Sequence, residues 1–450
     1  MFELCFSFLS SVDDFFWSYI GFSLIMLLGL YFTIKTGVFQ LRSLPSVIKT
    51  FFYFLTSRSL SKQGTHPLKV FFASVGGMVG VGNIVGIVTA LQIGGPGAIF
   101  WVWVATFLGA LIKYSEVFLG LKYRVSNDQG GYDGGAIYFL KKAFNTRYVS
   151  IIASVLLCIY GAEVYQFSVL THSISVNWNL NHLLVVFGLL FLIFFAAIGG
   201  IKRVGKICSL LMPFFTLCYL FMCLWVVGHH LTELPTVLGE VFKMAFTNHA
   251  AVGGFTGSTL MLALRQGISR SVYSADIGIG YDSIIQSETS ASQIIHQARL
   301  SMLGVWIDSV ICTLTLLAVL CTGLWKANPA IDSFLVIQTV LSLYFPYQSF
   351  FMPLLLFVLI YSTLISYLFV GFKCARFLHQ KHGEKTYLIF SVAFLLLFSF
   401  FDQSKALLIM SLSGCLLLCI NLLGIFRLRN EIEFSLFKQE SPRKTDALSA

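Results

Sequence analysis

Long apolar runs separated by short polar loops dominate the chain. Runs near the ~20 residues needed to cross a bilayer fall at about 17–34, 68–93, 98–120, 150–172, 183–200, 207–228, 253–274, 300–325, 350–373, 386–402 and 405–426. The pattern predicts an all-α polytopic membrane protein with eleven transmembrane helices. The run at 47–56 is too short to cross, and Lys49 and Arg58 flank it, which predicts an interfacial segment. Glu3, Asp13 and Asp14 precede the first run, where a cleavable signal would carry Lys or Arg.

Two of these runs are interrupted. The second carries Gly76, Gly77, Gly80, Gly82 and Gly86 with Asn83; the seventh carries Gly253, Gly254 and Gly257, then Gly267, Gly278 and Gly280. Glycine weakens a helix, and opened backbone is not tolerated against lipid, so such breaks persist where they line a protein cavity. Setting the first run aside, the two breaks open two halves of five runs each. Halves with an odd number of spans are inverted relative to one another. Paired broken helices at matching positions are the sequence pointer to a midplane site in an inverted-repeat transporter. The expected organisation is an N-terminal helix and interfacial segment at 1–64, a first repeat at 65–228 and a second at 229–429. A cytoplasmic tail at 430–450 is expected to be disordered.

Composition supports this class and narrows the rest. The chain is 57% hydrophobic and 11% charged, against about 25% charged in soluble domains. The net charge of +10 sits in loops and is no nucleic-acid signal. Lys and Arg crowd the loops after spans 1, 3, 5, 9 and 11, while 94–97 and 174–182 have none. The positive-inside rule then places the N-terminus outside and the C-terminus in the cytoplasm, in a cell inner membrane. No paired carboxylate, His cluster or nucleophile with a base lies near one membrane face, so no enzyme and no cofactor are expected. The ten Cys form no CxxC pair and read as small apolar residues.

The breaks imply a chemistry. Freed N–H groups at one half-helix end suit a carboxylate. Freed carbonyls at the other suit a hard cation such as Na⁺. A small zwitterion plus Na⁺ matches such a site, and few ionisable groups lie within the spans. Glu163 is the exception. An acid in an apolar run is a functional candidate by default: it replaces Na⁺ with a proton, pairs with a cation, or serves structure beside water or an Arg. Asp308 is expected to pair within the bundle. Lys113 and Glu116 are expected at the interface.

Specific strings carry a resemblance. Ala73-Ser-Val-Gly-Gly-Met-Val-Gly-Val-Gly-Asn-Ile-Val-Gly86, Ile93-Gly-Gly-Pro-Gly-Ala-Ile-Phe-Trp-Val-Trp103, Lys113-Tyr-Ser-Glu116, Gly131-Tyr-Asp-Gly-Gly-Ala-Ile-Tyr138, Gly253-Gly-Phe-Thr-Gly-Ser-Thr259 and Ser301-Met-Leu-Gly-Val-Trp-Ile-Asp308 resemble the alanine or glycine:cation symporter family. The likeness runs in order from about Thr65 to Arg427. It implies a leucine-transporter architecture and Na⁺-coupled symport of small neutral amino acids, alanine, glycine or D-alanine, by alternating access. The alternative is a proton-coupled carrier of another small solute on the same fold. By the resemblance, Gly80, Gly82 and Asn83 hold the substrate carboxylate. Gln166 and Tyr367 face the substrate, and Gly254, Thr256, Gly257 and Ser258 line the second break. The carbonyls of Gly76 and Val79 with the hydroxyls of Ser362 and Thr363 form the Na⁺ site.

The departures concern the same places. Ser274-Ala-Asp-Ile-Gly278 stands where the family pattern is Ser-Asn-Glu-Ala-Gly, Tyr367 stands where Trp is usual, and Glu163 stands where Asn is expected. Asp276 and Glu163 are therefore the candidate charges for coupling or substrate. Amino acid, Na⁺ and membrane lipid are the expected partners, with no nucleic acid.

Overall fold

A computed structural model describes residues 2–56, 63–128, 130–247, 260–327, 333–401 and 403–436. Nearly all of them are helical. The first helix is α1 (Phe2–Phe15), a π-helical turn (Phe16–Gly21) and α2 (Phe22–Lys35) in line. Short α3 (Phe39–Arg42) and amphipathic α4 (Leu44–Thr56) follow. The second apolar run is α5 (Pro67–Met78), a 3-10 turn (Val81–Asn83) and α6 (Val85–Gly94). Pro67 opens α5, where its missing N–H costs no hydrogen bond.

Next come α7 (Ala98–Lys122), a small hairpin of β1 (Val125–Ser126) and β2 (Tyr132–Asp133), and α8 (Ala136–Phe144). Then α9 (Arg147–Tyr160) and α10 (Val164–Asn177) share one apolar run with a kink at 161–163, where Glu163 has φ +50°. The Thr146 hydroxyl caps α9 and the Asn181 amide oxygen caps α11 (His182–Ala197). The chain continues through α12 (Gly200–His229) and α13 (Leu234–Phe246). After it come α14 (Leu260–Ala275), α15 (Tyr281–Gln286) and α16 (Ile294–Thr322). The remainder is α17 (Leu324–Ala327), α18 (Ser333–Ser342), α19 (Gln348–Leu378), α20 (Gly383–Phe398) and α21 (Gln403–Arg427).

Among the described residues, seven helical stretches are long and apolar enough to cross a membrane: Cys5–Lys35, Ala98–Lys122, Arg147–Asn177, Gly200–His229, Ile294–Thr322, Gln348–Leu378 and Ser404–Arg427. Shorter apolar helices, including α5, α6 and α11, accompany them. Outer faces of α11 and α12 expose Leu184, Phe191, Leu210, Phe214 and Leu217. Apolar cover this continuous suits hydrocarbon and not water. Inside, α7 packs on α14 and α16, α5 on α12 and α19, α6 on α14, and α9 on α19. The two broken helices thus sit at the centre of the bundle.

Three expectations are corrected here. Of the second break, Gly253, Gly254 and Gly257 lie outside the described residues; Gly267 lies within α14 and does not interrupt it, and the chain unwinds at 276–280, with Asp276, Gly278 and Gly280 all at positive φ. Of the tail expected to be disordered over 430–450, residues 430–436 are described and packed against the bundle, and the rest lies outside the described residues. Phe434 seats its ring 5.1 Å from Tyr114, 5.5 Å from Phe39 and 5.7 Å from Phe32, and Tyr114 Oη donates to the Glu433 carbonyl at 2.5 Å. One aromatic slot anchors a segment whose composition is that of a polar tail. Lys113 and Glu116 are not interfacial but fully buried.

One polar pin ties the hairpin end of the bundle together. Lys373 Nζ reaches Asp133 Oδ1 at 2.9 Å and Glu288 Oε1 at 2.5 Å, joining α19, the hairpin and the loop after α15. Burial alone pushes the Asp133 carboxyl up; the Lys373 ammonium and hydrogen bonds from Lys373 and Asn127 outweigh it and hold the group below the usual carboxylate range. A depressed folded pKa contributes stability above the unfolded value of about 3.9, and that contribution is lost as pH falls through the folded value. Asp133→Asn should therefore melt below wild type at pH 6, with the gap closing as the pH drops under about 4. Thermal unfolding in detergent across that range checks it.

Candidate functional site

The first break is built by side chains that replace helical hydrogen bonds. The helix ends at Met78, with Val79 N–H still bonded to the Val75 carbonyl at 2.8 Å. Gly80 N–H then turns to Asn83 Oδ1 at 3.0 Å instead of the Gly76 carbonyl. Asn83 N–H goes to the Gly80 carbonyl at 3.2 Å instead of Val79. The carbonyls of Gly76 and Val79 are thereby released, and both meet Thr363 Oγ1 of α19, at 3.0 and 3.3 Å. The Leu359 carbonyl also lies 3.2 Å from that hydroxyl. A threonine hydroxyl has one proton, so the oxygens outnumber the donors. Ser362 is not brought to this point: its hydroxyl is turned to the Leu359 carbonyl at 2.6 Å and to Met212 Sδ at 3.1 Å.

Asn83 is fully buried and fixed from its other end. Its Nδ2 donates to Asp308 Oδ1 at 2.5 Å, and Asp308 Oδ2 accepts from Ser274 Oγ at 2.9 Å. Asp308 therefore pairs within the bundle, holding the first break to the end of α14. Gly82 lies against the same helix, since a Cβ there would stand 3.3 Å from Ser274 and from Tyr273.

Beside the break lies the kink between α9 and α10. Val81 N–H donates to Gln166 Oε1 at 3.1 Å. Gly80 has no Cβ because the Gln166 amide occupies that space; a Cβ would fall 2.5 Å from its oxygen. Glu163 accepts from Tyr273 Oη at 3.2 Å. Tyr367 stacks on Tyr281 with centroids 3.8 Å apart and meets Tyr160 edge-on at 5.6 Å. A cavity of about 460 Å³ is lined by Tyr160 and Tyr273 together with Asp13, Arg265 and Arg270.

The second break, at 276–280, is held by charge. Lys113 Nζ of α7 donates to the Asp276 carbonyl at 2.6 Å and lies 3.2 Å from Asp276 Oδ2 and 3.4 Å from Asp282 Oδ2. Glu116, one turn on, accepts from Ser283 N–H at 3.3 Å and from Asn421 Nδ2 at 3.2 Å, while Asn421 also reaches the Gly278 carbonyl at 3.0 Å. Ser74 of α5 bonds Asp282. This network joins both broken helices to α7 and α21. The helices also approach closely at Gly77, where a Cβ would overlap Tyr281 Oη at 1.7 Å.

Of the residues expected at the site, Gly76, Val79, Gly80, Gly82, Asn83, Gln166, Thr363 and Glu163 fall around the first break, while Tyr367 stacks on Tyr281 beyond the unwound 276–280 segment. Asp276 faces Lys113 instead. Gly254, Thr256, Gly257 and Ser258 lie outside the described residues. Sequence reasoning missed Asp282 and Tyr273 as partners. The available signal was the pair of charges at 113 and 116 inside an apolar run, which require buried counter-charges. Among the described residues no cluster of His, Cys, Asp and Glu has metal-site geometry.

Two unwound helices crossing at the centre of a helical membrane bundle, next to a cavity, define a transporter of the leucine-transporter fold. Solved structures share that fold: MhsT in complex with L-phenylalanine (TM-score 0.59, 15% identity, 82% of this chain and 90% of that one) and a Na⁺-coupled sialic acid symporter (TM-score 0.54, 12% identity, 92% and 87%). Residues 2–447 match the sodium:alanine symporter family, and the chain belongs to it. It is a multi-pass membrane transporter and not an enzyme. Relatives include the sodium/alanine symporter AgcS of Methanococcus maripaludis, 28% identical over 85% of this chain and 86% of that protein. Others are the uncharacterized transporter YflA of Bacillus subtilis, 31% identical over 82% and 80%, and the probable sodium/glutamine symporter GlnT of the same organism, 28% identical over 96% and 90%.

Lys113 is the sole base in the second-break network, and stripping a buried pair of one partner costs about 3–5 kcal/mol. Lys113→Met should lower the unfolding midpoint in detergent, and adding Asp276→Asn should recover part of the loss. An unchanged midpoint would contradict the pairing.

Proposed function

We propose that the protein is a Na⁺-coupled importer of small neutral amino acids, with alanine and glycine, including D-alanine, as the first candidates. The observation that carries this is the excess of oxygens over protons at the first break. The carbonyls of Gly76 and Val79 and the Thr363 hydroxyl converge with too few donors, a hard donor set that a small monovalent cation completes. Ser362 joins only by rotating away from Leu359. The N–H of Val81 and the backbone around Gly80, Gly82 and Asn83 form the opposite pole, suited to a carboxylate. The cavity lined by Tyr160 and Tyr273 leaves room beside them for a small side chain.

The alternating loop charges support eleven spans in the inner membrane, with the N-terminus outside and the C-terminus in the cytoplasm. The glycine clusters that open the two halves of five runs support two five-helix repeats, 65–228 and 229–429, in opposite orientations. In that frame the cavity between α14, α21 and the N-terminal helix opens outward. Na⁺ and substrate together close the site by drawing α6 and α14 toward α10 and α19. The departures at Ala275 and Asp276 then act on the second break, where Asp276 is committed to Lys113 and not to cargo.

Labelled alanine uptake into proteoliposomes tests the reading. With inward NaCl, uptake should exceed that with choline chloride at the same pH by at least about tenfold. Equal uptake in the two salts would overturn Na⁺ coupling, and saturable uptake driven by a pH gradient alone would favour the proton-coupled alternative.

A further inference from the structure

Gln166 sits between two groups of opposite character. Its Oε1 accepts from Val81 N–H at 3.1 Å. Glu163 stands one helical turn earlier, at the N-terminal end of α10, within electrostatic reach of that amide. Oε1 is engaged with Val81, so the NH₂ is the end of the amide that could meet a carboxylate ion, which only accepts. The Gln166 amide thus has its acceptor end on the break, with an acid one turn away on the same helix. An amino-acid zwitterion has the same polarity, carboxylate toward Val81 and ammonium toward Glu163.

Glu163 has no cation of its own. It is 1% exposed, Tyr273 is its hydrogen-bond partner, and no Lys or Arg among the described residues pairs with it. Other ionisable groups around it are Tyr160, Tyr273, Tyr367 and Tyr387, and Asp276 of the 276–280 segment. None supplies a positive charge. An acid in such surroundings is costly unless a cation reaches it. The residue is held at positive φ at the kink, and its partner Tyr273 lines the cavity, so cargo arriving by that route meets the acid first through Tyr273.

We propose that Glu163 binds the α-ammonium of the substrate while the carboxylate lies at the Val81 N–H of the first break. This restricts cargo to molecules with a free ammonium beside a carboxylate, and it rests on the amino-acid reading above. Glu163 thus acts as a specificity residue that this chain has in place of the Asn expected at that position.

The test compares wild type, Glu163→Gln and Glu163→Asp in one detergent and one proteoliposome preparation. Alanine-dependent thermal stabilisation reads binding without transport, and labelled uptake gives KM and kcat. Wild-type binding should be competed by unlabelled alanine but not by lactate or by N-trimethylated alanine. Glu163→Gln should raise the half-saturating alanine concentration about tenfold or more, as expected for loss of a charge-assisted bond, with kcat changed much less. Glu163→Asp should recover part of the affinity. An affinity in Glu163→Gln within about twofold of wild type, or competition by lactate in wild type, overturns the proposal. So does an unchanged KM with loss of pH-gradient dependence, which would make Glu163 a proton carrier. If wild type neither binds nor takes up any neutral amino acid, the amino-acid reading itself has failed, a result seen before any variant is measured.

Discussion

Backbone polar groups freed inside an apolar bundle must find partners, and the arrangement of this protein follows from that demand. Unwinding at 79–83 releases carbonyls and N–H groups where no water is supplied by lipid. Asn83 takes the Gly80 N–H, Gln166 takes the Val81 N–H, and Thr363 meets the Gly76 and Val79 carbonyls. Three helices are thereby committed to one point. The Asn83–Asp308–Ser274 chain adds a fourth and a fifth. Each bond that satisfies the break also fixes the distance between the elements that a transport cycle must move.

The second break answers the same demand with charge. A single buried lysine holds a backbone carbonyl and two carboxylates, and Ser74 ties one of those acids back to the first broken helix. The two solutions differ in consequence. Neutral amides and hydroxyls at the first break can exchange partners with an arriving ion or carboxylate at modest cost. The ion network at the second cannot be opened without leaving a bare charge in a dry interior. We read the first break as the place where cargo enters the hydrogen-bond network, and the second as the anchor that keeps it in register.

Much of this was legible in the sequence because the causes are local. Apolar run lengths marked the helices, and glycine clustering around Asn83 marked the first break. The strings around Lys113 and Asp308 marked the family. What the sequence did not disclose was non-local. Gly278 and Gly280 were visible, but the unwinding at 276–280 depends on Lys113 from a helix over 150 residues away. Lys113 and Glu116 looked interfacial from their place near a run's end, and only the fold shows acids and amides surrounding them. The kink at 161–163 carries one glycine and no proline, too weak a mark to read beforehand. Phe434 looked like part of a polar tail because its slot is assembled from Phe32, Phe39 and Tyr114 on separate helices.

The central claim is that the opened carbonyls of the first break bind the coupling ion, and it can be measured without transport. Purified wild-type protein should show saturable equilibrium binding of radiolabelled Na⁺. Thr363→Ala, which removes one of the converging oxygens and leaves the helices in place, should weaken that binding about tenfold or more. Undiminished Na⁺ binding in Thr363→Ala, or no saturable binding in the wild type, would contradict the account.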